Sequence, residues 1–294
     1  MYVINERQKN KGEQIMTTND KRIMVVVFSL LLTSTALGRK EATVSWGHRI
    51  LTSTDNGLNA GQMVVDSIGS LFFVIDRGDS VKSRTLHLVK YNQAGTQVWS
   101  KPLGANGVHM WVHGLAADDR GSIYLFGNTN SSLDGENRGK LDAFFARYDQ
   151  TGTQVWVRQV GTARDDQCVG LDIDADGNLY IAGHTQGDFA KPNRGGRDIF
   201  IAAYAQAGVL LWKDQIGTGT NDSAVGVALD DEKNVYLCAN TLGSIARQNN
   251  GQDDIVVARY THTGNRIRLT QTCPPAPTSV RVARSDWGRG VGAM

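Results

Sequence analysis

The sequence predicts an all-β fold, a β-propeller of four-stranded antiparallel blades. Two interleaved repeats and one internal pattern carry that expectation. A block of Tyr, three residues, Gly, three residues and Trp occurs at Tyr91-Gly95-Trp99, Tyr148-Gly152-Trp156 and Tyr204-Gly208-Trp212, and recurs without its tryptophan at Tyr260-Gly264. A second block sets Asp118 and Tyr124, Asp174 and Tyr180, then Asp230 and Tyr236 three residues on either side of Gly121, Gly177 and Lys233. Successive copies lie 56 or 57 residues apart, too long for most helical repeats and near the upper end of propeller-blade periods. Within one period the residues fall into four short alternating runs separated by turn signals, the mark of paired strands.

Taken in chain order, the first element is a secretory signal. Lys21 and Arg22 precede an apolar run from Ile23 to Leu32, and Thr33 to Gly38 supply small residues where a signal peptidase reads. A ten-residue run is short of the about 20 residues that a membrane-spanning helix needs. We therefore expect residues 1–38 to be cleaved after Gly38 rather than kept as an anchor. Residues 1–15 are polar, and a start at Met16 would give a signal of ordinary length.

The repeat domain covers residues 43–271. Its third period shows the pattern best, with a strand from Asp142 to Tyr148, a turn at Asp149 to Gly152 and an antiparallel partner from Thr153 to Val160. Gly152 suits the position in a short hairpin loop that requires positive φ. Cys168 to Ile173, the turn Asp174 to Gly177 and Asn178 to Ala182 complete the unit. A sheet of this kind cannot bury both faces alone, and radial stacking on its neighbours is the propeller solution.

Full units are expected at about residues 85–129, 141–185 and 197–241, which leaves a strand around Trp46 and a hairpin ending in Leu71 to Ile75 at the start, and a first hairpin at 254–271 at the end. If the two end fragments pair, the ring closes in the interleaved way that protects sheet edges, with about four to five blades. The alternative is an incomplete ring. Arg268 stands where the repeat has tryptophan, and the tail, residues 272–294, matches nothing in the repeat.

The chain has 31 basic and 29 acidic residues, of which five and three fall in residues 1–38, so the expected mature chain is neutral. That argues against a nucleic-acid partner, which needs a clustered positive field. The three cysteines, Cys168, Cys238 and Cys273, make a poor disulfide framework. Register places Cys168 and Cys238 at apolar strand positions, where buried free thiols are expected.

The repeat resembles the β-propeller repeat family called SBBP, through Asp142 to Trp156, Gly161 to Asp166, and Asp174 to Thr185, with weaker copies before and after. The resemblance covers about residues 43–271. It implies an exported or cell-surface propeller and supplies no common catalytic residues. The family implies seven blades, more than the repeats counted here.

Several motifs have a chemical reading and a structural one. Asp172, Asp174 and Asp176 ahead of Gly177 superficially match a calcium loop, but the neighbouring copies dilute the match and position twelve is Gly183. A hairpin turn using Asp and Gly for backbone reasons accounts for them. His109 and His113 have the spacing of a helical zinc pair, yet their segment is not helical. Trp99, Trp156 and Trp212 could stack sugars, but an identical place in every copy points to packing. The same block is similar to quinoprotein repeats, without the calcium ligands and catalytic carboxylate that such an enzyme needs. Two sequons, at Asn130 and Asn221, read as chance occurrences. No metal site, cofactor or catalytic residue is assigned.

Strand direction separates the two ends of the blades. The short Gly turns share one face, and the longer loops at 127–141, 161–167, 183–197, 217–223 and 242–253 crowd onto the other. Polar, variable loops on a rigid scaffold are the usual place for ligand contacts. Asp165, Asp166, Asp188, Lys191, Arg194, Asn221, Asp222 and Asn249 are the candidate binding residues. The expected function is a non-enzymatic binding module, secreted, periplasmic or at the cell surface, whose partner is an unknown extracellular protein or glycan. No nucleic acid and no membrane insertion after signal cleavage are expected. Two alternatives stand beside it: a propeller enzyme, quinoprotein dehydrogenase-like or carbohydrate-active, and a truncated remnant of a larger propeller.

Overall fold

Alternating apolar residues between Asp- and Gly-containing turns dictate strands, and strands are what form. The computed structural model describes residues 63–77, 85–104, 108–249 and 253–272, and the strand backbone of 26–34 and 40–49. Strands β1 (Val26–Ser34) and β2 (Lys40–Arg49) pair antiparallel with each other. The remaining strands make four antiparallel four-stranded sheets with no helix among the described residues. Blade 1 comprises β3 (Met63–Val65), β4 (Leu71–Arg77), β5 (Thr85–Tyr91) and β6 (Gln97–Pro102). Blade 2 comprises β7 (Met110–Ala117), β8 (Ile123–Thr129), β9 (Asp142–Tyr148) and β10 (Gln154–Val160). Blade 3 follows with β11 (Asp166–Ile173), β12 (Leu179–Thr185), β13 (Asp198–Tyr204) and β14 (Leu210–Ile216). Blade 4 holds β15 (Asp222–Leu229), β16 (Val235–Thr241), β17 (Asp254–Tyr260) and β18 (Arg266–Thr272).

The Asp and Tyr block is the device that closes the first hairpin of each blade. Asp174 Oδ1 accepts the N–H groups of Asp176 and Asn178, both at 2.9 Å, while its Oδ2 accepts the Tyr180 hydroxyl at 3.1 Å. Asp118 and Asp230 repeat this, with Tyr124 and Tyr236 as hydroxyl donors. An Asp side chain that accepts from the N–H groups two and four residues on fixes the turn locally. Of the calcium-like motif, Asp174 is thereby engaged by its own turn, while Asp172 Oδ2 accepts the Leu229 N–H and Asp176 pairs with Lys233, both in blade 4. Gly121 and Gly177 sit at φ 80° and 87°, and Lys233 fills the same left-handed position at φ 61°.

The Tyr, Gly and Trp block closes the second hairpin and couples it to the next blade. Trp99, Trp156 and Trp212 donate their indole N–H to the carbonyls of Gln150, Gln206 and His262, at 3.1, 3.1 and 2.8 Å, each in the turn of the following blade. The turn glycine on the receiving side serves both purposes. Gly264 has φ 88°, and a Cβ there would collide with the Trp212 ring. Trp156 also packs on Tyr124 and Phe145, and Trp212 stacks on Tyr260 at 5.7 Å between centroids.

Three apolar seams lie between the blades. Phe72, Val74 and Leu88 face Ile123, Leu125 and Ala146 across the first. Tyr124, Phe126 and Phe145 face Leu179, Ile181, Phe200 and Ala202 across the second. Ile199, Ile201 and Ala203 face Val235, Leu237, Val256 and Ala258 across the third. Blade 3 thus has both faces covered, and β12 and β13 are buried along their whole length. Blade 4 alternates buried with partly exposed residues in β16 and β17, and Val257 is 41% exposed.

The blade boundaries differ from the expected ones by one hairpin. Unbroken ladders join β8 to β9 from Ile123↔Tyr148 to Thr129↔Asp142, and β12 to β13 from Leu179↔Tyr204 to Thr185↔Asp198, so the long loops stay within a blade. The short connection at 161–165 is what crosses to the next sheet. The end hairpins are therefore not halves of one blade: β17 pairs with β16, and β4 pairs with β5. Among the described residues interleaved closure does not occur. Four blades are described, and their sheets do not close on one another. Cys168 is buried, as its register implies, and burial pushes its thiol up to about 12. Cys238 is only half-buried because it lies on the uncovered face of blade 4. The segment expected to be a signal, apart from the backbone of β1, the side chain of Trp46, and the tail from 273 onward with Cys273 lie outside the described residues.

Arg268, paired with Arg259 at the tryptophan position of blade 4, is exposed. Replacing Trp156 with Ala should cost about 3 kcal/mol, and Arg268→Ala should stay within about 0.5 kcal/mol. Urea unfolding of the two variants checks this. Equal costs would show that the indole is not what couples the blades.

Candidate functional site

The loop face is assembled by a side-chain scheme that repeats in blades 2, 3 and 4. In each, a glutamine on the outer strand reaches back in two directions. Gln215 Oε1 accepts the N–H groups of Phe189 and Ala190 at 2.9 and 3.0 Å, and its Nε2 donates to Asp198 Oδ2 at 2.9 Å. Gln159 does the same for Leu133 and Asp142, and Gln271 for Ile245 and Asp254. The loop thus folds over its own blade, and Phe189 stacks on Phe200 with centroids 4.4 Å apart. Inside the loops Asn137, Asn193 and Asn249 donate their N–H to Ser132 Oγ, Asp188 Oδ1 and Ser244 Oγ. Asn193 and Asn249 further donate Nδ2 to the carbonyls of Thr185 and Thr241.

This scheme separates the eight predicted residues by role. Asp188 and Asn249 staple their loops from within. Asp165 and Asn221 lie on the crossings between blades, where their carbonyls accept the N–H groups of Gln186 and Leu242. Asp166 and Asp222 are fully buried, so they build the face rather than line it. Their Oδ2 atoms each accept the N–H and hydroxyl of Thr162 or Thr218. Lys191 and Arg194 are brought together. With Pro192, Asn193, Asp198, Gln215 and Gly217 they line a pocket of about 300 Å³ beside the third seam.

Two features of that region carry no signal of their own in the sequence. Asp214, on the outer strand, pairs with Lys191 Nζ at 2.5 Å and accepts the Tyr260 hydroxyl at 3.0 Å. Burial pushes the Asp214 carboxyl up, but the donors Lys191, Gln215 and Tyr260 outweigh it and hold the group below the usual carboxylate range. Arg158 and Thr270 occupy the equivalent positions in blades 2 and 4, and that disagreement within the repeat is the one clue a sequence reader has. His184 is the second. Burial, then the charges of Arg197 and His113, pull it down to about 4, so it is neutral near pH 7, with Arg197 Nη1 at 3.4 Å from Nε2. The pocket therefore presents one ammonium balanced by Asp214, one exposed guanidinium, amide groups and, at its floor, the buried Asp198 carboxyl. That set suits a carboxylate or a polyhydroxylated ligand.

A larger cleft of about 430 Å³ lies at the first seam, lined mainly by apolar residues including Leu103, Met110, Leu133, Phe144 and Val157. The equivalent space on blade 3 is filled by the larger Phe189 and by Lys213, whose ammonium lies 5.0 Å from the Phe189 ring centroid.

Residues 98–134 and 155–190 match the SBBP beta-propeller repeat family. Among curated proteins the chain is similar to the "Regulatory protein FlaEY" of Caulobacter vibrioides, 24% identical over 215 residues, which are 63% of this chain and 22% of that protein. The chain thus spans about a fifth of that relative's length. Among solved structures it is similar to a protein of unknown function from Dyadobacter fermentans, at TM-score 0.48 and 11% identity, with 73% of this chain and 69% of that one covered. It is also similar to a polysaccharide lyase of family PL25, an ulvan lyase, at TM-score 0.43 and 12% identity, covering 76% and 59%.

Lys191→Met should lower stability at neutral pH by about 0.5 kcal/mol, the scale of an ion pair whose cation stays half exposed. Asp214 has a depressed folded pKa, so its contribution is present above its ordinary value and is lost as pH falls through the folded one. The difference between wild type and variant should vanish at about pH 2. Chemical unfolding at the two pH values measures it, and a pH-independent difference would mean that the lysine acts through packing alone.

Proposed function

We propose that this chain, built on the SBBP beta-propeller repeat in two of its segments, is an exported, non-enzymatic binding module that takes an acidic extracellular protein or glycan on its loop face. One observation carries the reading. The glutamines and asparagines that recur between the loops of the blades are turned inward to hold the loops down, whereas the tips differ: Asp134 and Glu136 in blade 2, Lys191 in blade 3 and Arg247 in blade 4. Repetition of the glutamines and asparagines thus maintains the scaffold, and the unlike tips face outward beside the pocket of Lys191 and Arg194, of which Arg194 has an exposed counterpart in Arg138 of blade 2. Rigid blades carrying variable tips are the usual division of labour in loop-based recognition. Export rests on the signal pattern of residues 1–38.

The test is an array of neutral and uronate-bearing oligosaccharides and carboxylate-rich peptides probed with the full chain. Binding should favour the anionic members and fall at least about tenfold in Arg194→Glu, the size of one lost charge-assisted contact. Equal binding of neutral and anionic members would remove the acidic ligand. Turnover of any bound sugar would replace the module with an enzyme.

A further inference from the structure

At the second and third seams two buried carboxylates meet without a counter-charge. Asp142 and Asp166 are both 0% exposed, and Asp198 and Asp222 are 1% and 0% exposed. Asp142 belongs to blade 2 and Asp166 to blade 3, and they converge on the connection between them: a Cβ on Gly161 would collide with Asp142 Oδ1 and would also crowd Asp166 Oδ2. Gly217 stands in the same relation to Asp198 Oδ1. One oxygen of each first carboxylate is satisfied. Asp142 Oδ2 accepts the Arg138 N–H at 2.9 Å and Gln159 Nε2 at 2.8 Å, and Asp198 Oδ2 accepts the Arg194 N–H at 3.1 Å and Gln215 Nε2 at 2.9 Å. The Oδ1 atoms of Asp142 and Asp198 are buried with no donor, as is that of Asp254 in blade 4, while Asp222 Oδ1 takes the Thr241 hydroxyl and the Thr185 hydroxyl faces Asp166.

The surroundings are neutral. Gln159 and Gln215 face the pairs from the outer strands, and Thr185 and Thr241 face them from the second strand of the next blade. Thr162 and Thr218 close them from the connections. Arg138 and Arg194 contribute backbone N–H groups. The charged neighbours are engaged elsewhere or point outward: Lys191 with Asp214, Arg197 with His184, and Arg164 exposed, with Asp165 adding negative charge at the second seam. Among the described residues no lysine or arginine forms an ion pair with any of the four carboxylates.

Two adjacent buried anions are severely unfavourable without a cation or a proton. We infer that each of these seams is a binding site for one proton, shared between Asp142 and Asp166 at one and between Asp198 and Asp222 at the other. The shared proton removes one of the two charges and supplies the donor that the empty Oδ1 lacks. Burial first, with the facing carboxylate adding to it and the threonine donors opposing it, pushes Asp166 and Asp222 above the ordinary carboxyl range. The first seam is a built-in control. Ladder register puts Thr85 and Met110 where the later seams have their aspartates.

The sign follows from linkage. A carboxyl whose folded pKa is raised contributes stability that is complete below its ordinary value of 3.8 and is lost as pH rises through the folded value. Asp149, Asp214 and Asp230 are shifted the other way, so the effect is read as a difference. Thermal unfolding of the full chain is compared with Asp166→Asn and Asp222→Asn between about pH 4 and pH 8. Asparagine mimics the protonated acid, so each variant should match wild type at the acid end and unfold several degrees higher at the alkaline end. Asn variants that are less stable than wild type at the alkaline end, or that differ by a constant amount, overturn the inference. A rise in the wild-type midpoint on adding calcium or magnesium, reversed by chelation, overturns it in favour of a metal cation in the same place. If the Asn variants do not fold, infrared spectra of the wild type decide: a carboxylic-acid band that persists at neutral pH supports the shared proton, and its absence overturns it.

Discussion

A four-stranded sheet with apolar side chains on both faces has no stable existence in water, so everything in this molecule depends on how one blade grips the next. The grip is directional. A tryptophan on the outer strand reaches forward to a turn carbonyl in the following blade, three times over, at 2.8 to 3.1 Å. The receiving turn uses a glycine at positive φ, which closes the hairpin and, at Gly152 and Gly264, leaves room for the indole. Turn geometry, ring packing and blade spacing are therefore one constraint expressed at three scales. It explains why Tyr, Gly and Trp recur at fixed spacing while the residues between them do not.

Much of this was legible in the sequence. The period, the two hairpins per unit, the turn roles of Asp118, Asp174 and Asp230 and the packing role of the tryptophans all follow from residue spacing, because local turn chemistry and strand alternation are local properties. The blade boundary was not legible. The loop read at 183–197 looks like a connection between units, but Gln215 and Phe189 fold it back onto its own sheet, and the Gln215 contacts span 24 to 28 residues. Ladder pairing across a loop leaves no trace in composition.

The candidate site was legible in part for the same reason. Lys191 and Arg194 share one loop, so their proximity follows from the chain. Asp214 enters from another strand, and its partnership with Lys191 depends on tertiary fold alone. Asp166 and Asp222 read as exposed loop residues because they follow polar runs, yet each begins an inner strand and is sealed by the adjoining blade. Polarity in sequence marks a residue as needing partners and does not say whether the partner is water. Here it is threonine hydroxyls and backbone N–H groups.

The forward reach of the tryptophans also orders events in time. Trp156 and the Gln206 carbonyl that receives it are separated by 50 residues, as are Trp212 and His262. A ribosome working at about 5 to 20 residues per second leaves each indole without its acceptor for several seconds. During synthesis every blade therefore emerges with its forward face bare and is sheltered only when its successor arrives. The growing edge of the array is the segment most exposed to chaperones and to aggregation, and that edge moves along the chain one blade at a time.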